Sequence, residues 1–313
     1  MITLVIGNGF DIDLGMNTRY SDFASSDFWP KKSVAAPCLQ SYLEDRKDME
    51  CWFDLEQCLL DYCKWQHGYA SDKIPTEARP GEDIVYYKKL RECLKNYLLA
   101  EQQKELRKDS WASILLRSLC KDEDFDHLYS FNYTDTASIA QKVGADLGNV
   151  DVDYVHGSLA NDSIILGVDE SEVEEGYEFL QKAVDVNYRS TNIISQLATS
   201  REVFFFGHSF GTIDIEYFKP YFQHIFNQDI EEDQKHPTIV IFTYNEASRL
   251  QILKNIHDMG INRQRLFNLC EFLLFRTDGS DDERIEAFLK SREQERNERE
   301  NYSDWDYESE YNE

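Results

Sequence analysis

Apolar positions along this chain follow two rhythms. Ile2 to Ile6 is a short, β-branched run with no polar alternation, cut off by Gly7-Asn8-Gly9, and it predicts a strand buried on both faces. Between about Ser41 and Cys120 the period lengthens. "WFDLEQCLLDY" places Trp52, Leu55, Leu59 and Tyr62 three and four apart, and the segment from Val85 repeats this with Tyr86, Leu90, Leu94 and Tyr97. "SWASILLRSLC" predicts a third helix, and Lys64 to Asp83, with Pro75 and Pro80, a loop inside the block.

After Cys120 short apolar runs return, each ended by polar or glycine residues: "HLYSFNYT", "VDYVHGSL", "SIILGV", "EVFFFGHSFG", "TIVIFTYN" and "RLFNLCEFLLF". Helical stretches separate several of them, "DTASIAQKVG" and Glu246 to Met259 among them. Alternation of this kind predicts an α/β fold: an open, mostly parallel, Rossmann-like sheet with helices on both faces. The expected organisation is a nucleotide-binding core of residues 1–40 and 121–280, a helical insertion or lid of 41–120, and a charged helix with an acidic tail over 281–313. That tail has five acids and four aromatics (Tyr302, Trp305, Tyr307, Tyr311), which reads as a mobile segment or a docking one.

Composition narrows the function. The 313 residues are 42% hydrophobic and 13% aromatic, ample for a buried core. The 59 acids against 33 bases leave a net charge of −26, which repels phosphate backbones, so nucleic acid is not expected as a ligand. Seven cysteines without a CxxC pair read as small core residues in a reducing compartment. No run approaches the roughly 18 apolar residues of a membrane span, and the first strand lacks a basic leader. A cytoplasmic protein, with no membrane contact, is expected.

In an α/β sheet ligands collect at the carboxyl ends of strands. Here those ends carry Gly-Asn-Gly, Asn132, His156-Gly157 and Gly207-His208-Ser209. The first turn lets a backbone approach a phosphate, or is a tight turn and nothing more. Just past it, Asp11, Thr18 and Tyr20 add polar groups, although Asp11 or Thr18 also suits a helix cap. Asn132 can orient a water or a ribose hydroxyl, or simply close a turn. His156 is placed to act as a base near neutral pH. Gly207 to Gly211 is a literal G-x-S-x-G after a strand, the nucleophile-elbow pattern, but no downstream acid and histidine complete a triad for Ser209 well. No spacing of Cys, His or carboxylates predicts a metal site.

"LVIGNGFDIDLGMNTRYSDF", "WFDLE", "SFNYTDT", "VHGS" and "FFFGHSFGTIDIEYF" together resemble, in order, the bacterial abortive-infection AbiH family, over residues 1 to about 220. This resemblance implies a role in antiviral defence, with a phage-derived trigger and a homo-oligomer as partners. The series is similar, more distantly, to the sirtuin-like NAD-consuming domains of other defence systems. That likeness implies NAD as substrate: Gly7 and Gly9 cradle its pyrophosphate, Asn132 holds the nicotinamide ribose or the attacking water, His156 is the base, and Gly207 and Ser209 contact the adenosine-side ribose. Asn8, Asp11, Thr18, Tyr20, Gly157, His208 and Asp214 complete the implied nucleotide-binding set. The chain departs from the sirtuin-like pattern at Asp135, one place later than usual, and at Asn8 and Phe10, where smaller residues are usual. It also lacks the four-Cys zinc module, so protein deacylation is not expected. The leading expectation is an NAD glycohydrolase. A non-catalytic nucleotide-binding sensor and a Ser209 esterase are the alternatives.

Overall fold

The computed structural model describes residues 1–31, 36–49, 54–66, 79–168, 173, 175–211, 214–227 and 237–310. In chain order, β1 (Ile2–Ile6) is followed by α1 (Asn8–Asp13), α2 (Tyr20–Ala24), α3 (Cys38–Met49), α4 (Leu55–Gln66), α5 (Pro80–Gln102) and α6 (Trp111–Leu119). Next come β2 (Phe125–Ser130), α7 (Thr136–Val143) and β3 (Asp151–Tyr154), then the two-residue strands β4 (Gly157–Ser158) and β5 (Ser163–Ile164). The second half is α8 (Ile193–Thr199), β6 (Glu202–Phe206), α9 (Ile215–Asn227), β7 (Thr238–Thr243), α10 (Glu246–Asp258), α11 (Arg263–Leu269), β8 (Glu271–Arg276) and α12 (Asp282–Glu310).

The main sheet has six strands in the order β3-β2-β1-β6-β7-β8, all paired in parallel. The chain builds outward from β1 in one direction, then returns and builds in the other. Such a reversal opens a crevice between β1 and β6 at their carboxyl ends, the switch point at which open α/β sheets bind ligands. Strand alternation divides the core between the two faces. Leu4, Ile6, Phe204, Phe206, Val240 and Phe242 pack with α1, α6, α7 and α12. Val5, Val203, Phe205, Ile239 and Ile241 pack with α8 to α11 on the other face.

A third core belongs to the helical block. Phe23, Trp29, Leu39, Leu59, Tyr62, Tyr87, Leu90 and Tyr97 bury one another, together with Leu166, Tyr177 and Leu180. Its limits differ from those the pattern predicts. Trp29 and Phe23 join it from before residue 41, whereas α6 lies on the sheet through Leu115, Leu116 and Leu119. The amphipathic stripe of α6 says that it covers something apolar; only packing decides which surface. At the centre of this core, the buried Asp83 carboxylate accepts hydrogen bonds from Leu39 N, Tyr62 Oη and Tyr177 Oη at 2.9, 2.8 and 2.8 Å.

Other elements also differ from the pattern. Pro80 opens α5 rather than lying in a loop, a position where its missing N–H costs no helical bond. "SIILGV" contributes only Ser163–Ile164, paired antiparallel to Gly157–Ser158. α12 runs to Glu310, through most of the expected tail; the side chains of Tyr302, Trp305 and Tyr307, like Tyr311, His236 and Pro75, lie outside the described residues. None of the described helices is long and apolar enough to cross a membrane.

Candidate functional site

The turns that end β1 and β6 are hydrogen bonded to each other. Gly7 N donates to Phe206 O and Gly9 N to Gly207 O, each at 3.0 Å. A Cβ on Gly7 would lie 2.8 Å from Gly207 O, and one on Gly9 2.5 Å from Gly207 Cα. Gly207 itself has φ +65°, in the left-handed region. The glycines are therefore required by backbone meeting backbone. The amides of Gly7 and Gly9, expected to cradle a pyrophosphate, already have carbonyl partners.

Asn132, two residues past β2, reaches across to this turn. Its Nδ2 donates to Gly7 O at 3.0 Å and to Asp11 Oδ1 at 2.9 Å, which uses both amide protons. Thr134 Oγ1 donates to Asp11 Oδ2 at 2.9 Å. Burial pushes the Asp11 carboxyl up to about 7, against the lowering effect of these two hydrogen bonds. Asp11 is thus no cap: the N-cap residue of α1 is Gly7, with no side-chain cap, and Thr18 Oγ1 donates instead to Asn8 Oδ1 at 2.5 Å. Asp135, by contrast, caps α7 by accepting from Ser138 N.

His156 lies in the turn after β3, and His208 follows Gly207. Both direct Nε2 at one carboxylate: Asp214 Oδ1 is 3.2 Å from His156, and Asp214 Oδ2 is 3.2 Å from His208. Burial would raise the Asp214 carboxyl, but the hydrogen bonds from His156 and His208 hold it well below the usual carboxylate range. His208 Nδ1 accepts from Phe210 N at 3.0 Å, so its proton sits on Nε2 and its ring is the neutral tautomer. The Phe131 ring stands edge-on to both imidazoles, with centroids 5.4 Å from His156 and 4.6 Å from His208.

The helical block and the long connection after β5 supply the rest. At the start of α4, Glu56 points into the same cluster. Lys182, 1% exposed, sits with Nζ 3.4 Å from Glu56 and 3.5 Å from His156 Nε2. Tyr133 Oη donates to Glu56 Oε1 at 3.0 Å. Burial raises the Glu56 carboxyl, and Lys182 and His156 oppose this; Asp54, beside it, is likewise raised by burial. Tyr20, packed with Tyr133, is pushed up by burial and by Glu56 and Asp54.

Gly157, at φ +74°, lets β4 pass within 2.1 Å (measured from a would-be Cβ) of Ser163 O, which fixes the turn that carries His156. Ser209 faces outward, and its carbonyl accepts from Asn255 Nδ2 at 2.8 Å. Besides Gly207, the left-handed residue of this segment is Phe210, φ +53°, whereas a nucleophile elbow puts that strain on the serine. Two open clefts, of about 290 and 630 Å³, lie at the opposite ends of the strands, around Arg201 and Glu202, where Arg292 and Arg296 of α12 pair with Asp122 and Glu202. That chemistry is ion pairing that seats a helix. Among the described residues, no three His, Cys, Asp or Glu side chains are grouped to hold a metal ion.

Comparison with known proteins now adds an identity. The family model described as bacteriophage abortive infection AbiH matches residues 3–236. The chain belongs to the AbiH family. Membership assigns it to phage abortive infection, and no curated protein matches it. The AbiH match spans every element of the cluster, from Asp11 through Glu56, Asn132, His156 and Lys182 to Asp214.

Sequence reasoning missed Glu56, Asp54 and Lys182 as site residues. The signal for the first two was "WFDLE", two acids inside an apolar stretch; for Lys182 the pattern holds none.

Proposed function

We propose that this AbiH chain binds a nucleotide at the switch point between β1 and β6 and hydrolyses its N-glycosidic bond, with NAD or a related nucleotide as substrate. The observation that carries this reading is the Asp214 carboxylate shared by His156 and His208, at the strand ends where Asn132 binds the Gly7 turn. With Nε2–H of His156 directed to Asp214, the Nδ1 lone pair is the basic position, able to take a proton from an attacking water. Asn132 has spent both amide protons on Gly7 and Asp11, so its Oδ1 is left to accept from that water or from a ribose hydroxyl. Cleavage passes through an oxocarbenium-like state, and the carboxylates of Asp54, Glu56 and Asp214 favour a cation there. Water adds to the anomeric carbon, the base leaves with the bond's electron pair, and a nicotinamide leaving group is neutral.

The test is incubation of purified protein, with and without lysate of phage-infected cells, with NAD and a panel of nucleotides. Release of free base and the matching ribosyl product, followed by chromatography and mass spectrometry, is expected. Intact nucleotides under every condition overturn the reading. A nucleotide-binding sensor without turnover is the second reading, favoured by how little of His156 and Asn132 is exposed, 5% and 6%. A nucleotide that co-purifies uncleaved supports that one.

A further inference from the structure

Two residues of one connection grip the two oxygens of one carboxylate. Between β2 and α7, Asn132 Nδ2 donates to Asp11 Oδ1 and Thr134 Oγ1 to Asp11 Oδ2, each at 2.9 Å, and Asp11 belongs to α1. All three side chains are buried. The Asn132 backbone is held separately: Ser130 Oγ accepts from its N–H and donates to its carbonyl, each at 3.2 Å. What remains to be fixed is the rotation of the carboxamide. Gly7 O, 3.0 Å from Nδ2, only accepts, so the nitrogen and not the oxygen faces the β1 turn. One such bond leaves the amide plane able to swing about it. A second acceptor, for the second proton, defines the plane, and Asp11 Oδ1 is that acceptor.

We infer that Asp11 is a positioning residue: its carboxylate sets the plane of the Asn132 carboxamide and aims Oδ1 away from the Gly7 turn. Thr134 holds the carboxylate in turn, so the connection that carries Asn132 also fixes its partner. Pinned in this way, Oδ1 keeps one direction and needs no rearrangement when a water or a hydroxyl arrives. For the use made of that acceptor, the inference rests on the proposed hydrolysis. The orientation itself is independent of any substrate.

The test is NMR of the Asn132 side-chain amide in the full-length protein, its two proton signals assigned by their loss in Asn132→Ala. Interchange of the two Nδ2 protons requires both hydrogen bonds to break, and exchange spectroscopy reads its rate. In Asp11→Leu the interchange speeds up by about tenfold or more, for the loss of one bond to a charged acceptor. Asp11→Asn restores an acceptor: its oxygen takes the Asn132 proton, and its amide donates to Thr134 Oγ1, a hydroxyl that accepts as well as donates. The rate then returns toward that of the unmodified protein. A merely structural role predicts lower stability in Asp11→Leu with the interchange unchanged. That result, or equal speeding in both variants, overturns the proposal. Should Asp11→Leu not fold, the unmodified protein decides alone. Interchange slower than at exposed asparagines by about a hundredfold or more, as two bonds require, supports the inference, and anything faster overturns it. Where nucleotide cleavage is measurable, kcat falls in Asp11→Leu by more than KM rises, because a misaimed Oδ1 weakens the transition state most. A rise in KM with kcat retained overturns it. Absence of cleavage in the unmodified protein counts against the proposed function and leaves the amide result standing.

Discussion

Gly9 and Gly207 meet without side chains between them: the Gly9 amide donates to the Gly207 carbonyl at 3.0 Å, and a Cβ on either would come within 2.5 Å of the other's backbone. The two residues close the carboxyl-terminal junction of the central strand pair, and His208 and Asn132 are positioned on either side of it.

Alanine at either glycine is therefore expected to destabilise the protein. Overpacking typically costs about 1–3 kcal/mol, and at Gly207 the left-handed backbone adds about 1–2 kcal/mol more. Urea unfolding of Gly9→Ala and Gly207→Ala checks this, with Gly207→Ala the more damaging. Unchanged midpoints would show that the two turns can separate freely.

Asp11 makes stability depend on pH. Its carboxyl titrates near 7 in the folded protein and near the ordinary 3.8 once unfolding exposes it to water, so the folded state keeps a proton that the unfolded state has lost. The contribution is fully present below about pH 3.8 and fades as pH rises to about 7, a change of about 4 kcal/mol by linkage. Asp214 works in the opposite sense, its stabilisation being lost as pH falls below the usual carboxylate range. Urea midpoints between pH 4.5 and about 7.5 should decline with pH in the unmodified protein and flatten in Asp11→Asn. Parallel curves for the two proteins would contradict the assignment.

In the helical block, Asp83→Ala removes the acceptor of two buried tyrosine hydroxyls and one amide. Stranding such donors costs about 1–3 kcal/mol each when no water replaces the acceptor, so a loss of several kcal/mol is expected. Hydrogen exchange should report it chiefly in α3 to α5. Uniform loss of protection across the sheet instead would make the block inseparable from the core.

For the proposed hydrolysis, His156→Ala and Asn132→Ala should abolish nucleotide loss while the far-ultraviolet circular dichroism is retained. Asp214→Asn keeps the shape and changes the proton partner of both imidazoles, and should lower the rate by about 10² to 10⁴. Undiminished rates in these variants would remove the cluster from the chemistry.

Some of this protein was legible in the order of its residues. Five-residue runs such as Ile2–Ile6 and Glu202–Phe206 predict strands of a covered parallel sheet, because a strand buried on both faces needs no polar alternation. Glycine, Asn132 and His156 at strand ends marked the edge where the cluster lies. Tertiary structure alone decided the rest. Glu56 sits in an amphipathic helix and Lys182 in an irregular turn, where charged residues ordinarily face water. They are buried because α4 and the segment after β5 fold over the sheet edge from more than a hundred residues apart. Gly7 and Gly9 suit a phosphate turn and a backbone contact equally well, since both demand only a missing Cβ. The presence of Gly207 against them, 198 residues on from Gly9, is a fact of packing and of nothing local.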